Sequence, residues 1–254
     1  MARGMNKVMV IGFVECDPEL RRMANGQAVA SFSVSTKRRW TTNAGEARES
    51  TDWFNVVAWG TLAEAADRVL YRNRRIYLQG HLQTRRWDDA SGQRHMRTEV
   101  VADNLVPLDR RSAEVEDTQR GAGEDLPQCL NRVMVIGNLG RDPEMRYTPS
   151  GQAMTSFSLA ATRKWTTAEG DRRDATEWFN IVCWGSLAEI CNQYLTKGRR
   201  AYVEGELRTR GWERPDGKKH FRTELIANEM IMLGPRPTSG ALRAPDLRAS
   251  ELSF

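Results

Sequence analysis

The sequence predicts an all-β protein made of two tandem copies of one small barrel, each with a single short helix. Three observations carry that expectation. The segment NKVMVIG at 6–12 recurs as NRVMVIG at 131–137, and at this offset of 125 residues the two halves stay in register without a gap. Roughly 48 of about 104 pairs between 5–108 and 130–233 are identical, which marks two domains of one fold. Within each copy, short runs of alternating apolar and polar residues dominate, the period of half-buried strands, and one segment alone has the helical period.

Strands are expected near 7–14, 28–36, 51–59, 74–87 and 95–106, with the same order in the second copy. The helix begins at Thr61-Leu-Ala-Glu64 and Ser186-Leu-Ala-Glu189, which both match the capping box: the hydroxyl accepts an orphan backbone N–H and the Glu reaches back. Leu62, Ala65, Ala66, Val69 and Leu70 then form one buried stripe, and Gly198, with Asn73 as its counterpart, supplies a left-handed stop. A single helix is too little to cover a parallel sheet. A five-stranded Greek-key barrel of the OB type is the best match, with the helix between strands three and four. Loops at 41–50 and 88–94, each with a glycine, are expected to protrude as hairpins.

The domains are expected at 1–110 and 127–233. Between them, 111–126 is acidic and coreless, a flexible linker, and 234–254 has the composition of a disordered tail. Each repeat carries a charge of roughly +3 and the linker roughly −3, and the whole chain is +5. Basic domains suit a polyanionic partner. No apolar run is long enough for a membrane helix and the first residues lead straight into a strand, so a cytoplasmic, nucleoid-associated protein is expected. Cys16, Cys129, Cys183 and Cys191 have no CxxC spacing and are expected to be buried free thiols.

Side chains alternate faces along a strand. Phe54, Val56 and Ala58 therefore share one face, and Trp53, Asn55, Val57 and Trp59 the other; the second copy repeats this with Phe179, Ile181 and Cys183 against Trp178, Asn180, Val182 and Trp184. One face is a plain core. The other, with two tryptophans about an asparagine, suits a platform on which bases stack. On the next strand Gln83, Arg85 and Trp87, and then Arg208, Arg210 and Trp212, alternate with Leu82 and Thr84 and with Leu207 and Thr209. Trp40 and Trp165 close the motifs KRRW and TRKW and join the set by context. All eight tryptophans of the chain thus occupy four equivalent positions per repeat. Phosphates would be held by Lys7, Lys37, Arg38, Arg39, Arg74, Arg75, Arg85 and Arg86 in the first repeat. In the second the corresponding set is Arg132, Arg163, Lys164, Lys197, Arg199, Arg200, Arg208 and Arg210.

The segments NRVMVIGNLGRDPEMRY at 131–147, TEW at 176–178, YVEG at 202–205 and LRTRGW at 207–212, with weaker versions in the first repeat, resemble the hallmarks of bacterial-type single-stranded DNA-binding proteins. The resemblance implies OB folds that wrap single-stranded DNA in replication, recombination and repair. It also implies stacking at the eight tryptophan positions and a homodimer carrying four folds. The family's acidic tail ending in Pro-Phe docks replication and repair proteins. Here the chain ends RASELSF, which keeps Phe254 and one acid while Arg243 and Arg248 are basic, so docking would rest on Phe254.

Other classes fare worse. There is no GxxxxGK[ST], HExxH or GxSxG motif and no zinc-like Cys/His spacing, so no enzyme, metal, cofactor or small-molecule substrate is expected. The alternatives are an OB-fold interaction or replication-restart factor with little DNA binding, whose sign would be loss of the tryptophans, and an RNA-binding module, since stacking does not read the 2′-hydroxyl.

Overall fold

The computed structural model describes residues 4–42, 45–88, 94–108, 129–166, 170–213 and 219–234, with backbone alone at 86–87, 94–95, 210–213 and 219–222. The expected linker and tail, and Phe254, lie outside the described residues. The first fold runs β1 (Met5–Val14), β2 (Glu19–Arg22), β3 (Ala28–Thr41), β4 (Ala47–Trp59), α1 (Gly60–Val69), β5 (Arg75–Asp88) and β6 (Arg94–Pro107). The second repeats it as β7 (Leu130–Leu139), β8 (Glu144–Tyr147), β9 (Ala153–Thr166), β10 (Arg172–Trp184), α2 (Gly185–Tyr194), β11 (Arg200–Glu213) and β12 (Lys219–Leu233).

Each fold closes as a five-stranded barrel. β1 pairs with β5 from Val8 to Phe13 and, at Phe13 and Val14, also with β3. β3 pairs with β4, β5 with β6, and a short parallel contact of Val56 and Val57 with Val100 and Val101 shuts the cylinder. β1 can serve two neighbours because it passes so close to β3 at Gly12 that a Cβ there would strike the Ser35 carbonyl. Where β5 bends, the register shifts between Gln79 and Gly80, and a Cβ on Gly80 would run into the Val101 carbonyl. Asn6 ties that bend to β1: its Nδ2 donates to the Leu82 carbonyl at 2.8 Å and its Oδ1 accepts from the Leu82 N–H at 3.0 Å. Asn131 does the same to Leu207 at the same two distances. Inward-facing Val8, Val10, Phe32, Val34, Ile76 and Leu78 fill the first barrel and their counterparts the second.

The two barrels join through β1 and β7, antiparallel from Met5 opposite Ile136 to Ile11 opposite Leu130. Val8 faces Val133, its own equivalent, so a pseudo-two-fold axis passes between them. The twelve strands among the described residues thereby belong to one sheet.

Several local expectations need correction. A short strand, β2, escapes the sequence reading because its four residues, ELRR, show no alternation; it pairs along β3. The hairpin strands are longer than expected, so the 41–50 loop shrinks to the turn at which the Thr42 N–H donates to the Glu46 carbonyl. The helix starts one residue before Thr61, at Gly60 (φ 58°), and flanking Trp59 makes no side-chain cap bond, so the cap expected at Thr61 is replaced by a left-handed glycine. Its buried stripe is Ala63, Ala66 and Leu70, with Val69 exposed, because the helix packs on the barrel end with its alanines. The left-handed residues Asn73 (φ 66°) and Gly198 (φ 82°) do exist, but they shape the turn into β5 and β11, while the helix itself stops at extended Leu70 and Leu195. Among the thiols, Cys183 and Cys191 are buried, whereas Cys129 is half-buried and Cys16 exposed.

Candidate nucleic-acid interface

The alternation along β4 carries through to three dimensions. Phe54, Val56 and Ala58 are buried, and Trp53 and Trp59 face outward with Asn55 and Val57. Cross-strand partners share a face, and the partners on β3 are small: Ser35 opposite Trp53, Ser33 opposite Asn55, Ser31 opposite Val57. The Trp53 indole therefore stands above a floor of short side chains, while Trp59 is opposite Val29. β10 repeats the arrangement with Trp178, Asn180, Val182 and Trp184, although Val182 is buried. The described tryptophans expose between 37% and 59% of their surface, far more than a core indole would.

Trp40 and Trp165 differ. With no break in register from Val29 to Thr41, Trp40 lies on the face of β3 that carries Phe32 and Val34 further down, opposite to the Trp53 face. Beyond the barrel this face is open, and Arg38, two residues earlier, stacks its guanidinium 4.4 Å from the Trp40 ring centre; Arg163 stacks on Trp165 at 4.8 Å. Trp87 and Trp212 fall in β5 and β11 opposite His95 and His220, and their side chains lie outside the described residues, as do those of Arg86 and Arg210.

The expected phosphate contacts scatter. Lys37, Arg39, Arg85, Arg163 and Lys164 are exposed near the hairpins, with Arg39 paired to Glu49 at 2.8 Å. That bond holds the Glu49 carboxyl below its usual range. Arg208, half-buried, pairs with Glu206 at 3.4 Å. Lys7 and Arg132 sit instead on the outer face of the β1–β7 sheet, with Arg132 bound to Glu204 at 2.6 Å. Lys197, Arg199, Arg200 and Arg75 line the turns after the helices. Arg74 is a correction: at 6% exposure it is buried, donates to the Val69 carbonyl and stacks on Tyr71, so it ties the helix end down and leaves the phosphate set.

Three cations near the indoles escape the sequence reading. Arg97 on β6 is opposite Arg85 and donates to the Asn55 side chain between the two tryptophans. Arg146 on β8 lies in one cross-strand row with Met154 and Trp184, and Arg21 in the equivalent row with Val29 and Trp59. Arg97 alternates with Thr98 and Val100, which is a readable signal; the arginines on β2 and β8 have none, because a four-residue strand is too short to establish a period.

The single-strand binding protein family model matches residues 5–108 and again 130–233. The chain belongs to that family. Relatives are similar along most of their length: a single-stranded DNA-binding protein of Thermus thermophilus is 32% identical over 99% of this chain and 92% of its own. That of Deinococcus radiodurans is 33% identical over 92% of this chain and 77% of its own. The crystal structure of a deletion mutant of the Thermus aquaticus single-stranded DNA binding protein superposes with a TM-score of 0.71 at 27% identity. It covers 94% of this chain and 100% of that one. The family is one of binding proteins, so this chain is not an enzyme.

Proposed function

We propose that the chain binds single-stranded DNA with little regard to sequence, stacking bases on Trp40, Trp53, Trp59 and Trp87 and on Trp165, Trp178, Trp184 and Trp212. The observation that carries this is the exposed pair Trp53 and Trp59, with Arg97 bound to Asn55 between them, and the equally exposed pair Trp178 and Trp184 of the second fold. Every base has a π-face, so stacking at about 1–3 kcal/mol per base tolerates any sequence, whereas duplex hides its faces. Membership of the family, and relatives named for this activity, support the same conclusion. Titration with oligo(dT) is expected to quench most tryptophan fluorescence in a salt-sensitive manner, with duplex unable to compete; unchanged fluorescence would refute it, and an RNA oligomer in a third arm separates an RNA-binding module.

The proposed working unit is a homodimer with four folds. On the outer face of the β1–β7 sheet, pairing aligns Val106, Tyr77, Ile11 and Leu130 in one row and Ile231, Tyr202, Ile136 and Met5 in its pseudo-symmetric equivalent. Val106 and Ile231 are exposed. Two apolar rows about a dyad make a self-complementary patch, as an isologous contact requires. Light scattering should give about twice 28.9 kDa, and a monomer mass would exclude the dimer.

A further inference from the structure

We infer that the two folds are unequal binders, and that a groove over the second fold, walled by both folds, takes up the phosphates of a single strand first. This rests on the single-strand reading above. The groove, about 720 Å³, runs between the β3–β4 hairpin of the first fold and the outer face of β8, β9 and β10. Four arginines line it: Arg38 from the first fold and Arg141, Arg146 and Arg208 from the second, with Trp184 on its floor. Arg38 Nε and Arg208 Nε are buried without a hydrogen-bond partner among the described residues, and Arg208 is held at its outer nitrogen by Glu206 at 3.4 Å. Arg141 and Arg146 share Glu144 at 2.9 and 3.6 Å, which holds their guanidinium groups on the β8 side.

The pseudo-two-fold axis generates an equivalent place over the first fold, around Trp59. The two folds also meet there: Arg163 lies close enough to His81 to affect its charge, and Glu177 accepts from the Thr84 N–H at 3.0 Å. At the positions of Arg38, Arg141, Arg146 and Arg208, however, stand Arg163, Cys16, Arg21 and Gln83. The acids that line it do not change: Asp52, Glu144 and Glu224 over the second fold correspond to Glu177, Glu19 and Glu99 over the first, while Glu206, the partner of Arg208, is replaced by His81. Four cations against three carboxylates become two against three. Net charge on the lining therefore falls from +1 to −1, and from 0 to −1 once Glu206 beside Arg208 is counted. Because each neutralised phosphate of a single strand contributes a salt slope of about −0.7, two extra arginines are worth about 1.4 in slope and about 25-fold in affinity near 0.1 M salt. Arg38 comes from the other fold, so a strand in this groove touches both barrels at once.

The test titrates the full chain with oligo(dT) of about eight nucleotides, short enough for one fold, across a series of salt concentrations. The unaltered protein is expected to bind in a tight and a weak step. Arg141→Ser with Arg208→Gln should weaken the tight step by up to about 25-fold and lower its slope by up to about 1.4. The reverse exchange, Cys16→Arg with Gln83→Arg, should strengthen the weak step towards the tight one, a gain that misfolding cannot mimic. Trp184→Ala should remove the tight step and Trp59→Ala the weak one. If the unaltered protein binds no oligo(dT), the single-strand reading itself fails. If it binds but both tryptophan variants weaken it equally and the arginine exchanges leave the slopes alone, the inequality is overturned while single-strand binding stands.

Discussion

The two folds share their asparagine clamp to a tenth of an ångström but not the seat of their equivalent tryptophans. Asn6 and Asn131 bind the bent fifth strand with matching bonds. Beside Trp178, by contrast, lies Gly140, where a Cβ would sit 2.9 Å from Cη2 and closer still to Cζ3; the first fold has Glu15 at that position. Trp178 accordingly settles lower, at 51% exposure against 59% for Trp53. The clamp tolerates no change because the Asn side chain must match both the N–H and the carbonyl of one backbone residue. Surface seats can drift, since a displaced ring costs only its local contacts.

Installing the first fold's residue in the second breaks this contrast most directly. Gly140→Glu should lift the Trp178 ring towards the exposure of Trp53 and cost part of the about 1–3 kcal/mol that one stacked base is worth, as read by fluorescence titration. Next comes the bridge between folds. Glu177→Gln should destabilise by about 1–2 kcal/mol in thermal unfolding, because a carboxylate accepting a backbone N–H is lost. Its equivalent, Asp52, is one methylene shorter, and burial raises its pKa despite Arg208 and Arg38 nearby. A raised carboxyl pKa means that the ionised form weakens the fold, so Asp52→Asn should be neutral or stabilising, and more so at neutral pH than in acid. An unchanged Glu177→Gln or a damaging Asp52→Asn would erase the distinction.

Smaller is the contrast between helix packings. Cys183 and Cys191 lie with sulfurs 3.6 Å apart under α2, where the first fold has Ala58 and Ala66. Cys191→Ala should cost about 1 kcal/mol in denaturant unfolding, as a small buried void does. The smallest effect is acid sensitivity at His81, which faces Asp103 on β6, Arg163 on β9 and Glu177 on β10. Burial, then Arg163, hold its pKa below 6.5, so the folded state prefers neutral imidazole; stability is full above pH 6.5 and declines as the pH falls below it. His81→Gln should flatten that decline in thermal melts, and an unaltered pH profile would discount the pair.

Much of this was legible in the chain itself. The repeat, the barrel class and the outward tryptophans of β4 and β10 follow from a period of 125, a period of two and the capacity of alternation to separate core from surface. Even Trp59 and Trp184, set in apolar runs, obey that rule. Local pattern misled where a long-range partner decided: Thr61 looks like a cap, yet Gly60 opens the helix, and Arg74 looks like a phosphate ligand until the Val69 carbonyl and the Tyr71 ring enclose it.

By itself, then, the sequence determined two copies of one barrel and the face on which each strand tryptophan stands, because those depend on near neighbours and on chain periodicity. Only the tertiary structure decided that Val8 meets Val133, that Arg97 reaches Asn55 between the indoles, and that Arg38 of one fold joins Arg141, Arg146 and Arg208 of the other around Trp184. These meetings join residues up to about 170 positions apart. The Arg97 contact needs the first barrel closed, and the other two exist only once β1 has paired with β7.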